Sequence, residues 1–228
     1  MVSTYPLKPA AQDTEYLRSI LETIDSASCP SSYNFHLHTV ASDGKLMPSD
    51  LIQQAIALGL KGLAITDHHS VEGFREAEAY LASLDVDSAN LPQLWTGTEI
   101  TSQLSEVEVH ILGFGFDPDH RAIASYLQGS RPKGKRALAG RVIESIHQAG
   151  GLAVLAHPER YRRSATELIP AAAKLNIDGV ETFYSYGNPK VWHSTPGKTE
   201  TVMALAEQHH LYSTCGTDTH GLSIQQRL

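Results

Sequence analysis

The stretch GLAITDHHS, residues 62–70, decides the fold. Gly62–Thr66 is a short apolar run of the kind that forms a fully buried strand. It leads straight into Asp67, His68 and His69. A hydrophobic core has no use for such an ending, because buried charges and imidazoles are costly unless they are paired or ligating. Buried strands that deliver chemistry at their C-terminal ends are the habit of α/β folds with a mainly parallel sheet.

The same arrangement recurs outward from this stretch. Before it, Tyr33–Leu37 reads as a strand ending in FHLHT, which carries His36 and His38. A spacing of two on a strand puts both imidazoles on one face, which suits two ligands on one metal. After it, Leu94–Ile100 carries Glu99, and Val107–Phe114 carries His110. Gly151–Ala156 runs into His157, and Leu211–Gly216 runs into Thr217-Asp218-Thr219-His220. A lone His in an apolar strand is most often a satisfied core residue, and an isolated HxH is a weak signal. Six strands in order, each ending in or containing His, Asp or Glu, point instead to a site for several metal ions.

Helical stretches separate most of these strands. Pro48–Leu58 carries an apolar stripe and ends at Gly59. Further helices are expected over Val71–Ala82, Lys135–Ala149, Thr166–Leu175 and Thr199–His209. With the strand Asp178–Thr182, about seven strands alternate with helices, so the fold class is α/β, open or closed into a barrel. Residues 1–31 read as an N-terminal extension in which Asp13 caps a short helix running to about Asp25. Residues 32–228 read as one catalytic domain, with a small irregular insertion at about 117–140.

Composition removes several classes. The chain has 228 residues, which suits one well-packed domain with a short extension. Eighteen Lys and Arg against 25 Asp and Glu give a net charge of -7, which argues against nucleic-acid binding through a broad basic field. Two cysteines cannot make a disulfide framework or a four-cysteine zinc site. No apolar run is long enough to span a membrane. The N-terminal stretch does not read as a signal peptide, so a cytoplasmic setting is expected. The twelve histidines are the unusual count. Of these, His120, His147, His209 and His210 are expected to be solvated, and His193 sits in a loop on the presumed active face.

Taken in order, HLHT, SDG (42–44), TDHHS, GTEI, VHILGF, LAHPERY and GTDTHG resemble the PHP (polymerase and histidinol phosphatase) metallohydrolase family. SDG and HILG look most like the branch of nucleoside 3',5'-bisphosphate phosphatases and 5'-to-3' exoribonucleases. The resemblance implies a distorted seven-stranded β/α barrel and up to three divalent ions. It places the first ion at His36, His38, Glu99 and Asp218. The second falls to Glu99, as a bridge, with His110 and His157. The third falls to Asp43, His68 and His220. Imidazole and carboxylate donors favour Mn, Fe or Zn over Mg or Ca. An ion pair bridged by a carboxylate can hold a hydroxide nucleophile and neutralise a phosphoryl group.

The implied activity is a metal-dependent phosphoesterase acting on small phosphorylated molecules, with nucleotides or short RNA or DNA foremost. The alternatives are a phosphatase of histidinol-phosphatase type and a non-catalytic PHP module. Glu99, Asp67 and Arg160 are the candidate catalytic residues. Arg160, Tyr161, His69 and His193 are the candidate substrate contacts, Arg160 for a second phosphate and Tyr161 for stacking or a hydrogen bond. Arg131, Lys133, Lys135 and Arg136 form a second basic cluster in the insertion. Three departures stand out: Asn34 replaces a common Asp, His69 replaces a frequent Asp, and the insertion is short for a nucleotide-degrading member.

Overall fold

The computed structural model describes residues 10–87 and 90–228. The first nine residues of the expected N-terminal extension lie outside the described residues. Among the described residues, eight strands form two sheets. Strands β1 (Tyr33–Asn34), β2 (Gly62–Ala64) and β3 (Gln93–Trp95) pair in parallel in that order. The second sheet holds β4 (Gly97–Leu104), β5 (Val107–Phe114), β6 (Leu152–Leu155), β7 (Gly179–Phe183) and β8 (Tyr212–Cys215). Here β5 is antiparallel to both β4 and β6, while β6, β7 and β8 run parallel.

Where a seven-stranded barrel was expected, the described residues form two sheets of three and five strands, with no continuous ladder among them closing a ring. One reason is Thr96, which divides the expected strand Leu94–Ile100. Its N–H donates to the Ala11 carbonyl at 3.0 Å, so the chain leaves its parallel partner β2 there and takes up β5 instead. The other is the short β1. Beyond Asn34 the backbone is shared between the two sheets: the Thr66 N–H, just past β2, donates to the Leu37 carbonyl, while Phe35 N–H lies on the Cys215 carbonyl and His38 N–H on the Thr219 carbonyl. Isolated bridges cross the seams, Leu37 to Thr219 and His68 to Glu99.

The helices follow local rules. Helix α1 (Thr14–Leu21) starts at Asp13, whose side chain accepts the Tyr16 N–H at 2.9 Å. Helix α2 (Pro48–Leu58) opens on a proline and closes on Gly59 in the left-handed conformation. Helices α3 (Glu72–Ser83), α4 (Ala139–Gln148), α5 (Ala165–Ala173) and α6 (Pro196–Gln208) complete the set. Helix α5 has a Ser164–Glu167 capping box. The expected helix from Lys135 begins only at Ala139, after a 3₁₀ turn over Gly134–Ala137.

Strand alternation sorts the core. Leu112 and Val154 point into an interior cluster with Phe35, Ala64, Trp95 and Phe114, and α1 adds Leu17, Ile20 and Leu21 to it. Ile111 and Leu155 point outward, where α4 and α5 cover them with Val142, Ile146, Leu168 and Ile169. Helices α2 and α3 cover the outer face of the first sheet through Leu51, Ile52, Ala55 and Phe74. No helix among the described residues is long and apolar enough to cross a membrane.

Candidate metal centre

Glu99 lies at the heart of the site, buried on β4. Its two oxygens face different groups. Oε2 is 3.1 Å from Nε2 of His36 and 3.1 Å from Nε2 of His38. Oε1 is 2.7 Å from Nδ1 of His110 and 3.2 Å from Nε2 of His157. Asp218 turns Oδ1 toward the same His36 and His38 nitrogens, at 3.4 and 3.3 Å. Asp43, at the exposed rim, lies 3.3 Å from Nε2 of His220 and 3.7 Å from Nε2 of His68.

Three overlapping sets each place their ligand atoms within 4.8 Å of one another: His36, His38, Glu99 and Asp218; His38, Asp43, His68 and His220; and His68, Glu99 and His110. The first coincides with the first ligand set the resemblance implied. The second adds His38 to the third ion's set. In the remaining set His68 stands where His157 was expected, and His157 adjoins Glu99 from the side.

Backbone geometry delivers these groups. The extended backbone after β1 sends His36 and His38 to the same side. Asp218 N–H donates to the His36 carbonyl at 2.9 Å, which ties the two strand ends together. His157 and Asp218 both have positive φ, 25° and 54°. Non-glycine residues hold such conformations only where their surroundings enforce them, and they gather at functional sites. Gly216 lies against the His36 Cβ so closely that any side chain there would collide with it.

The donor set fits divalent metal ions. Both ring nitrogens of His38, and Nδ1 of His68 and His157, are buried without a hydrogen-bond partner. Buried polar atoms are rarely left so, and imidazoles facing carboxylates are what such ions take. Electrostatics agree. Burial disfavours a charged His38, yet the carboxylates of Asp218 and Glu99 beside it outweigh burial and lift the ring to about 9. Burial likewise opposes a charged His36, and Glu181, Glu99 and Asp218 override it, pushing the ring well above its usual value. Protons on these rings supply the positive charge that the carboxylates call for. Farther out, burial dominates and lowers His68 to about 4 and depresses His157 as well, so both rings are neutral donors. Burial alone would raise Glu99, but His110 and His36 hold it well below the carboxylate range.

The other candidates fall into different roles. Asp67 spends both oxygens on Thr39 and Ser42: the Thr39 N–H and hydroxyl donate at 2.7 Å each, and the Ser42 hydroxyl at 2.6 Å. It organises the loop that carries Asp43. Arg160, expected to meet a second phosphate, has its Nη1 donating to Asp218 Oδ2 at 2.9 Å and to the Tyr184 hydroxyl at 3.0 Å. Tyr161 does not offer its hydroxyl to a ligand. That hydroxyl accepts the His110 N–H and donates to the Ala156 carbonyl, pinning the two strands that bear His110 and His157. His193 is exposed, with Nδ1 against the Ser194 carbonyl. His147 is not simply solvated, since Nε2 lies 2.7 Å from Asp178 Oδ2.

His69 lines a cavity of about 400 Å³ beside the centre, with Asp43, His68, Thr101, His110 and Arg131. Its Nε2 meets the Thr101 hydroxyl at 3.1 Å, and burial lowers the ring to about 4. Arg131, from the expected basic cluster, pairs with Glu108 on β5. A larger depression of about 790 Å³ lies at the N-terminal ends of β2 and β3, by Tyr16, Tyr33, Lys61 and Gln93, and holds none of the clustered ligands.

Sequence reasoning missed Glu181, Tyr184 and Arg227. Glu181 is buried on β7, 2.9 Å from Nδ1 of His36, and its other oxygen accepts the His157 N–H at 2.8 Å. A carboxylate inside the apolar strand GVETF was the same kind of signal that exposed Glu99. Tyr184 and Arg227 carried no such signal.

The sequence matches the PHP domain family over residues 34–216. It is 30% identical over 186 residues to a 5'-3' exoribonuclease of Haemophilus influenzae, an alignment covering 75% of this chain and 65% of that protein. The chain thus spans a little under two thirds of that relative. It is 32% identical over 120 residues to a 3',5'-nucleoside bisphosphate phosphatase of Chromobacterium violaceum, covering 53% of this chain and 40% of that one. Among solved structures it resembles a protein of Bifidobacterium adolescentis described as a metal-dependent phosphoesterase. There the TM-score is 0.68 at 26% identity, covering 84% of this chain and 88% of the other.

Proposed function

The chain belongs to the PHP domain family, and from that premise we propose that this metal-dependent phosphoesterase acts on nucleotides or short oligonucleotides. In this reading two or three Mn, Fe or Zn ions are held by His36, His38, Asp43, His68, Glu99, His110, His157, Asp218 and His220. The observation that carries it is the division of Glu99, one oxygen toward His36 and His38 and the other toward His110 and His157. A carboxylate so shared suits two adjacent cations. Bound there, divalent ions supply Lewis-acid polarisation of a phosphoryl group and a nucleophile at neutral pH.

The chain's own residues do the rest. Glu181 orients His36, Asp67 holds the loop bearing Asp43, and Arg160 with Tyr184 holds Asp218. Tyr161 keeps His110 and His157 in register. The cavity beside His69 and Thr101 receives the organic part of the substrate, next to the rim carboxylate Asp43. Its volume of about 400 Å³ lies within the range of small-ligand sites and suits a single nucleoside. The names of the exoribonuclease and bisphosphate-phosphatase relatives support the same substrate class. Residues 32–228 are the catalytic unit in this reading, working in the cytoplasm.

The test is phosphate release, with added Mn, from a nucleoside 3',5'-bisphosphate, short RNA, histidinol phosphate and bis-p-nitrophenyl phosphate. The reading expects the nucleotide substrates to give the highest kcat/KM. A preference for histidinol phosphate overturns the substrate class. Absence of release from every substrate overturns the catalytic reading.

A further inference from the structure

Asp218 is held asymmetrically. Oδ1 faces His36, His38 and His220 at 3.3–3.4 Å. Oδ2 is saturated by three donors: the Tyr184 hydroxyl at 2.6 Å, Arg160 Nη1 at 2.9 Å and Arg227 Nε at 2.9 Å. Of these, Arg227 comes from a segment that follows the ligands directly and lies beyond residue 216, where the family match stops.

That segment is built to hold its place. The turn over residues 221–228 folds back onto the strand end that carries Asp218. Thr217 Oγ1 donates to the Ile224 carbonyl at 3.0 Å, and Asn34 Nδ2 donates to the same oxygen at 3.0 Å. Thr219 Oγ1 lies 2.9 Å from the Ser223 carbonyl and 2.6 Å from that of Gln226. His220 N–H donates to the Arg227 carbonyl at 2.6 Å. The Ile224 side chain is fully buried as the apolar anchor of the turn. Asn34, Thr217 and Thr219 thus work together to set the backbone from which Arg227 reaches Asp218.

We propose that Arg227 is a positioning residue that holds Asp218 as a one-oxygen metal ligand. A carboxylate with both oxygens free can rotate or bind an ion through both. With Oδ2 locked in charge-assisted hydrogen bonds, only Oδ1 is presented, and its direction is set. Arg227 acts through Asp218 and touches neither substrate nor the reacting atoms. The inference rests on the reading of Asp218 as a ligand.

The experiment titrates Mn into the chelator-treated protein by calorimetry and measures kcat and KM on bis-p-nitrophenyl phosphate. The variants are Asp218→Asn, Arg227→Ala and Arg227→Lys. Asp218→Asn is expected to lose one equivalent of Mn. Arg227→Ala is expected to weaken one equivalent by roughly 10–100-fold, as loss of a group supporting a ligand does elsewhere. Its kcat should fall with KM unchanged, and low-millimolar guanidinium should restore part of the Mn affinity. Arg227→Lys, which keeps the charge without the fixed Nε donor, should fall between, and it carries the comparison if Arg227→Ala does not fold. Wild-type Mn affinity in the Arg227 variants overturns the proposal, as does a rise in KM with Mn binding intact. Wild-type Mn binding by Asp218→Asn overturns the ligand reading beneath it.

Discussion

Glu181 Oε1 lies 2.9 Å from Nδ1 of His36, while the opposite nitrogen of that ring faces Glu99 at 3.1 Å. The ring is thereby fixed in orientation, with Nε2 turned to the centre. Glu181 also accepts the backbone N–H of His157, so one side chain sets two of the candidate ligands.

Glu181→Gln should keep the fold and weaken Mn binding by roughly 10–100-fold. The amide preserves the shape but removes the charge that makes His36 a better donor. Calorimetric titration of the metal-free variant checks this. Unchanged affinity would leave Glu181 as a packing residue.

Glu99→Gln should cost at least one equivalent of metal and lower turnover by orders of magnitude. The two oxygens of this buried carboxylate serve both halves of the cluster. Elemental analysis after reconstitution with Mn, together with kcat on bis-p-nitrophenyl phosphate, measures both. Wild-type metal content and rate would falsify the bridging role.

The metal-free protein should lose stability as pH rises. His38 is lifted from 6.5 to about 9 in the folded state, because the neighbouring carboxylates of Asp218 and Glu99 outweigh its burial. A raised value stabilises fully below the unfolded pKa of 6.5, and that contribution disappears as pH climbs through about 9. Melting temperatures of chelator-treated protein should therefore fall between pH 6.5 and 9. With Mn bound, ions take the ring nitrogens in place of protons, and the decline should flatten. Parallel curves with and without Mn would count against this account.

Arg160→Ala should reduce turnover of every substrate alike, by about ten- to hundred-fold. A hydrogen bond to a charged group contributes about 1.5–3 kcal/mol, and each 1.4 kcal/mol is a factor of ten. The sequence suggested a remote phosphate as its target; the structure puts its Nη1 on Asp218 and Tyr184. A loss confined to bisphosphates would restore the first assignment.

Asp178→Asn should destabilise without affecting the centre. Asp178 accepts from Arg18 at 3.2 Å, from His147 at 2.7 Å and from the Ala153 N–H at 2.8 Å, joining α1, α4 and β6 at the end of the strands away from the ligands. The expected cost is about 1–3 kcal/mol, or a fall of several degrees in Tm for a chain of this size. Mn stoichiometry should not change. A variant that melts with the wild type would show the junction to be dispensable.

The sequence alone determined what depends on near neighbours. Gly62–Ala64 forms a strand because the run is apolar and short, and the Asp-His-His after it lies at the strand end for the same reason. A period of two put His36 and His38 on one side. Asp13, Pro48 and Gly59 marked helix ends through backbone groups only a few residues away. Tertiary structure alone decided what depends on distant partners. Glu181 reaches His36 across 145 positions, and Arg160 reaches Asp218 across 58. Thr96 divided a strand because its N–H is taken by Ala11, 85 residues earlier. Local patterns state which face a side chain occupies. Which oxygen of Asp218 meets an imidazole and which meets a guanidinium is set by how the strand ends and the closing turn pack together, and no periodicity encodes that.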